Sequence, residues 1–257
     1  MKKHAVKFVG AGPGDPELIT VKGQKALENA DMVIYAGSLV PETVLCWAKP
    51  DTHLENSASM HLDQIIALIK DGFHQGKKVV RLHSGDPSLY GAIFEQMSAL
   101  RQLGIPYEVI PGVTAAFAAA AAIGLEYTMP EICQTLILTR MAGRTPTPAL
   151  ESLKSLAAHQ ASMAVYLSST LAEKVGPVLS EAYGETASVV VAYRISQPDQ
   201  KIVWTTTGNL AETMKAEKID RQALIIAGKV LECFDKDFPV SKLYDPTFSH
   251  GFRKANG

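Results

Sequence analysis

The stretch VVRLHSGDPSLYG, residues 79–91, constrains the fold more than any other. β-compatible residues run into Leu82, a Gly-Asp-Pro turn follows, and the next residues read as an approach to a helix. A strand that opens at its C-terminal end into a glycine-bearing loop is how open α/β sheets present ligand sites. Gly85 permits close backbone approach, Asp86 offers an acceptor, and Pro87 stiffens the turn without an N–H. The same residues also read as a helix start, with Asp86 as N-cap and Pro87 at the first helical position.

The strand–helix alternation around this stretch sets the architecture. AVKFVGAGPGDPELIT, residues 5–20, reads as a short buried strand, a glycine loop and a helical approach. Its Gly10 and Gly12 match the start of a dinucleotide fingerprint, but Asp15 stands where the third glycine belongs, and Pro13 occupies the turn. A plain Rossmann loop is excluded, and Asp15 is equally readable as the cap of a tight βα turn. ADMVIYAG is a second strand, SLVPETVLCWA a short helix, and MHLDQIIALIKDGFHQG an amphipathic helix with Ile65, Ile66, Ile69 and Phe73 apolar. FEQMSALRQLG and YEVIPG continue the alternation, so residues 1–112 are expected to form a parallel-rich α/β domain.

After the alanine-rich PGVTAAFAAAAAIG the rhythm changes. QTLILTR, SMAVYLSS, SVVVAYRI, KIVWTTTGNL and ALIIAGKVL are strand-like with short returns, predicting a mixed sheet in a second α/β domain, 113–234. Residues 235–257 lack periodicity and read as a C-terminal extension.

Composition excludes several function classes. With 25 Lys plus Arg against 26 Asp plus Glu, the overall charge makes no electrostatic case for a nucleic-acid partner, and only a local patch stays open. Cys46, Cys133 and Cys233 are dispersed, odd in number and without metal-ligand spacing. No long apolar run precedes Gly10, and the alanine-rich stretch is too short to span a bilayer. The expectation is a cytoplasmic protein with no membrane partner and no protein-bound metal.

No HExxH, CxxC pair, GxSxG or GxxxxGK[ST] motif occurs. The seven histidines are scattered; His83, beside the central turn, is open to a structural or a functional role. Cys133 has no readable partner base and reads as a small buried residue. What remains is a set of small-residue strand ends, at 10–15, 84–91, 111–115 and 167–170. They supply backbone donors, hydroxyls and a carboxylate, which suits the alignment of two substrates better than hydrolysis. A donor whose group is already activated, such as S-adenosylmethionine, fits that inventory, as do other nucleotides.

VGAGPGDPELIT (9–20), RLHSGDPSLYG (81–91), IPGVTAAFAAAAAIG (110–124), TLILTR (135–140) and LSST (167–170) together resemble the tetrapyrrole methyltransferases of corrin biosynthesis. YAGSLVP, AGRTP and PDQKIVWTT are similar to the subgroup acting at carbon 11 of precorrin-4 or cobalt-precorrin-4. The resemblance covers residues 5–232. It implies a two-domain tetrapyrrole methylase fold, a homodimer, and a donor held in a cleft between domains. Carried onto this chain, it implies donor contacts at Pro13, Gly85, Asp86, Pro87, Leu89, Thr114, Ala115 and Leu167, with strand-end contacts at Tyr193 and Ala227. Asp15 is implied as an orienting or proton-handling catalytic group. Ser38, Tyr90, Met141 and Arg144 are implied to meet the tetrapyrrole, and Arg140 and Arg144 suit its carboxylates.

The implied reaction moves a methyl from S-adenosylmethionine to carbon 11 and releases S-adenosylhomocysteine. Donor motifs leave other readings open: a sister enzyme acting at another ring carbon, a diphthine-synthase-like enzyme, and a noncatalytic nucleotide-binding module. They also leave open whether the ring already carries cobalt.

Overall fold

The computed structural model describes residues 3–234 and 241–254; within the expected extension, 235–240 and 255–257 lie outside the described residues. Two compact units divide the chain. One comprises Met1–Ala118 with Arg194–Asp199, the other Ala119–Tyr193 with Gln200–Gly257. The chain therefore leaves the first unit near residue 118, within the alanine-rich stretch, and returns to it for six residues.

In the first unit, strands β1 (Val6–Gly10), β2 (Met32–Tyr35), β3 (His53–Asn56), β4 (Val79–His83) and β5 (Tyr107–Ile110) form one sheet. Its order is β3-β2-β4-β1-β5, and every pairing is parallel. Parallel neighbours need crossovers, and α1 (Val21–Glu28), α2 (Leu62–His74) and α3 (Ile93–Gln102) supply three of them. The crossover from β2 to β3 contains a 3-10 turn, Glu42–Trp47, where the sequence suggested a short helix.

Strand alternation sorts side chains into two apolar layers. Val9, Val33, Val80 and Leu82 pack with Leu27 and Val44; Val6, Phe8, Ile34 and Val79 pack with Ile69, Phe73 and Leu100. Burial on both faces explains why these strands read as continuous apolar runs. The α2 periodicity holds, since Ile65, Ile69 and Phe73 are buried at i, i+4 and i+8.

Two polar residues of β4 break the pattern. Arg81 and His83 are buried alongside the second layer, 5% and 4% exposed. The Arg81 guanidinium donates to Gln96 Oε1 and Ile34 O, both at 3.1 Å. Burial lowers its pKa to about 10, which leaves it a cation at neutral pH. The His83 ring stacks on Phe8 at 6.0 Å. Burial, aided by the Arg81 charge, pushes its imidazole down to about 3. His83 is thus a neutral, buried group.

The second unit carries the rest of α4 (Ala115–Ile123), then β6 (Leu136–Arg140), α5 (Leu153–Ala157), β7 (Ser162–Tyr166), α6 (Ala172–Tyr183), β8 (Ser188–Tyr193), β9 (Lys201–Thr206), α7 (Leu210–Ala216) and β10 (Ala223–Ala227). The sheet order is β6-β7-β10-β8-β9. β6 and β7 are parallel, while β10 runs antiparallel to both its neighbours and β9 antiparallel to β8. The sheet is mixed, as the short returns implied. Met163, Val165, Val189, Val191 and Ile225 form its core with Val175, Leu179, Leu210 and Met214 from the helices. Among the described residues, no helix is long and apolar enough to cross a membrane.

The His83 environment sets a pH dependence. Between pH 6.5 and about 3 the unfolded chain takes up a proton that the folded protein refuses. Stability should therefore fall as pH drops through this window, by at most ~1.4 kcal/mol per pH unit for this one group. Urea unfolding of His83→Leu across the same range should give a shallower decline than wild type; parallel curves would count against a neutral buried imidazole.

Candidate active site

In the first unit, three strand ends meet backbone to backbone. The Gly12 and Gly85 amides each donate to the other residue's carbonyl, at 3.3 and 2.8 Å, and the Ala11 N–H donates to His83 O at 2.7 Å. This joins the loop after β1 to the loop after β4. Gly85 has φ +62°, a conformation suited to glycine. A Cβ placed on Gly10 would lie 2.6 Å from Gly112 Cα and 2.6 Å from Gly85 O, so no side chain fits where these loops cross.

Asp86 completes the junction. Its Oδ1 accepts from the Ser88 N–H at 2.8 Å and its Oδ2 from the Gly112 N–H at 2.9 Å. One carboxylate thereby ties the β4 loop to the β5 loop. It does not cap a helix: α3 begins at Ile93, and residues 86–91 form a tight turn with the Leu89 N–H on Asp86 O. At Asp86-Pro87 the turn reading holds: the Ser88 N–H on Asp86 Oδ1 closes an Asx turn, and the helix starts only at Ile93. Tyr90 and Ala92, on this turn, have φ of 57° and 48°. Non-glycine residues seldom hold such angles, and they cluster where function over-determines the backbone.

Because β1, β4 and β5 are parallel, Pro13, Asp15, Gly85, Asp86, Pro87, Leu89, Tyr90, Thr114 and Ala115 all follow C-terminal strand ends on one edge of this sheet; Ser38 follows β2 on the same edge. Pro13 and Thr114 are buried, Ser38 exposed and Tyr90 43% exposed. The Asp15 carboxylate accepts from the Glu17 N–H at 2.8 Å, the capping contact read from sequence, and the Asp15 N–H donates to Ser196 Oγ at 3.0 Å.

In the second unit, β6, β7 and β8 point the same way, so Met141, Leu167 and Tyr193 lie along one edge of the sheet. Leu167 has φ 51° and an exposed side chain. Beside it the fully buried Ser168 hydroxyl accepts from the Met141 N–H at 2.9 Å and donates to Tyr166 O at 2.6 Å. Ala227 is not part of this edge. β10 is antiparallel to β8, and Ala223 pairs with Tyr193 while Ala227 pairs with Val189. Four residues of strand, about 14 Å, separate the two ends.

The Arg140 guanidinium donates to Thr145 O at 3.2 Å and Pro146 O at 2.8 Å, bracing the loop that carries the exposed Arg144. Arg144 is therefore the cation this loop presents to solvent, and Arg140 its support. Cys133 is partly exposed, where the sequence suggested a buried residue. Its thiol donates to Thr135 O and accepts from the Ser162 N–H, both at 3.1 Å.

Sequence reasoning missed two serines. Ser168 had a visible cue in the LSST run, whereas nothing in YRISQPD marks Ser196 as a partner of a residue 181 positions away.

The chain belongs to the tetrapyrrole (corrin/porphyrin) methylases, whose family model matches residues 5–211. It is 51% identical to the cobalt-precorrin-4 C(11)-methyltransferase of Methanocaldococcus jannaschii, over 98% of this chain and 96% of that protein. Among solved structures, a cobalamin biosynthetic enzyme, cobalt precorrin-4 methyltransferase, superposes with a TM-score of 0.86 at 47% identity, covering 88% of this chain and 95% of that one. A uroporphyrin-III C-methyltransferase from Thermus thermophilus, complexed with S-adenosylhomocysteine, gives a TM-score of 0.75 at 27% identity, over 90% of this chain and 100% of that one.

The Asp86 tie is directly testable. Asp86→Ala strands two amides and should cost about 1.5–3 kcal/mol of stability. Asp86→Asn keeps one acceptor oxygen and should recover part of the loss. Chemical denaturation of both variants measures this, and an alanine variant as stable as wild type would contradict the tie.

Proposed function

We propose that this protein transfers a methyl group from S-adenosylmethionine to carbon 11 of precorrin-4 or its cobalt form in cobalamin biosynthesis. The observation that carries the reading is the 51% identity to a C(11)-methyltransferase, sustained along nearly the whole of both chains. The geometry is compatible with it: of the nine non-glycine residues with left-handed φ among the described residues, Tyr90, Ala92 and Leu167 lie after β4 and β7, on the strand ends that open α/β folds use for ligands.

The residues present fit such a donor. Gly85 exposes backbone at a turn where a Cβ would meet nothing closer than 3.8 Å. Leu167, 61% exposed, offers an apolar side chain to a planar base. With both its oxygens on amides, Asp86 would act by shaping the loop that holds the donor. Pro13, Pro87, Leu89, Thr114, Ala115 and Tyr193 complete the proposed donor set; Ala227 is left out because its strand end is remote from Tyr193. Ser38, Tyr90, Met141 and Arg144 are assigned to the tetrapyrrole, with the Arg144 guanidinium suited to its carboxylates.

When bound, the sulfonium donor supplies an activated methyl: the ring carbon's electron pair forms the new C–C bond, the C–S bond breaks, and S-adenosylhomocysteine leaves as a neutral thioether. The protein's task is alignment and exclusion of water, which alone can be worth several powers of ten in rate. The ring must also lose a proton for charge to balance. Asp15, which follows β1, is assigned the role of orienting the ring or accepting that proton.

An anaerobic assay with S-adenosylmethionine and matched metal-free and cobalt-loaded precorrin-4 tests the reaction. A single new methyl at carbon 11, located by NMR, is the expected product, and the preferred ring form identifies the substrate. Methylation at a different carbon would overturn the assignment in favour of a sister activity, and donor binding without transfer would favour a binding module. The reading also includes a cytoplasmic homodimer, consistent with three unpaired cysteines. Light scattering should return twice the 27.7 kDa chain mass; a monomer mass at working concentration would remove the dimer.

A further inference from the structure

One six-residue segment is out of place in chain order. Arg194–Asp199 follows β8 and precedes β9, both strands of the second unit, yet it belongs by its contacts to the first. There it lies on the loop after β1. The Ser196 hydroxyl oxygen accepts the Asp15 N–H at 3.0 Å, and Gln197, 9% exposed, packs so closely on Gly14 that no Cβ fits there.

Contacts within the segment fold it back on itself. Arg194 Nε–H donates to Asp199 Oδ1 at 2.7 Å, closing it into a loop, and the Gln197 N–H donates to Arg194 O at 3.0 Å. Arg194 and Ser196 sit at φ 43° and 64°. A hydroxyl residue held in that region, with glycine the easier choice, points to a job for the hydroxyl. The Asp15 side is equally constrained, because its carboxylate Oδ1 already holds the Glu17 N–H at 2.8 Å. Backbone on one side and carboxylate on the other leave Asp15 little freedom.

We propose that Arg194–Asp199 is a strap that positions Asp15 for methyl transfer, with Ser196 the positioning residue. The proposal rests on the assignment of Asp15 to the reaction given above. Ser196 acts through the peptide from which the Asp15 carboxylate projects, by accepting its N–H. Small misplacements of a reacting group by remote changes are known to cost on the order of a hundredfold in rate.

Two substitutions separate positioning from folding. Ser196→Ala removes the acceptor and keeps the backbone strain. Ser196→Gly removes the acceptor and relieves the strain, so it should melt at a higher temperature than the alanine variant. The strap requires both to lose kcat to a similar extent, about 10- to 100-fold, while S-adenosylhomocysteine affinity stays at the wild-type value. Turnover that follows melting temperature, with Ser196→Gly near wild type, would reduce the segment to a structural loop and overturn the proposal. Asp15→Asn, measured in parallel, separates the two ideas. If it turns over normally, the Asp15 assignment is lost and the strap has nothing to act through. If it is inactive while both Ser196 variants are fully active, the strap alone is lost.

Discussion

The crossing of backbone at Gly10, Gly85 and Gly112 is the contact on which the rest of the first unit depends. β1 lies between β4 and β5 in the sheet, and the loops leaving all three ends pass close to one another. Any Cβ at Gly10 or Gly112 would run into backbone, which has no rotamer to escape through. The paired amides of Gly12 and Gly85 and the Asp86 carboxylate satisfy polar groups that such a close crossing takes from water. The result is a fixed surface of main-chain groups at the strand ends. A methyltransferase with an already activated donor needs such a surface more than it needs a nucleophile.

The second unit solves the corresponding problem with a side chain. Ser168 is fully buried and spans from Met141 N to Tyr166 O, joining the ends of β6 and β7. It holds Leu167 in a left-handed conformation with its side chain turned to solvent. Strain at Tyr90, Ala92 and Leu167 is tolerated because the neighbouring hydrogen bonds and cores over-determine those loops. The apolar layers behind them, including Leu82 below the β4 loop and Val165 below the β7 loop, supply the rigidity.

Much of this was legible without coordinates. The alternation of strand and helix through residue 112 required a parallel sheet, and the shorter returns after it required a mixed one, because crossover length limits strand direction. Ordered motifs point to strand ends as the candidate site. The sequence leaves matters open where an outcome depends on partners distant along the chain. Asp86-Pro87 reads as a turn and as a helix start, and nothing local shows that Gly112, 26 positions on, takes the second carboxylate oxygen. Ala227 ends a strand just as Tyr193 does, and only the direction of β10 shows that the two ends lie apart.

By itself, then, the sequence determined the element types, the two α/β units and the family, since these follow from local periodicity, turn chemistry and motifs in a fixed order. Tertiary structure decided which strand ends share an edge, that His83 is neutral, and that residues 194–199 return to the first unit. The physical reason is common to all three. Each is settled by burial and by hydrogen bonds between residues far apart along the chain, and local pattern carries no record of those contacts.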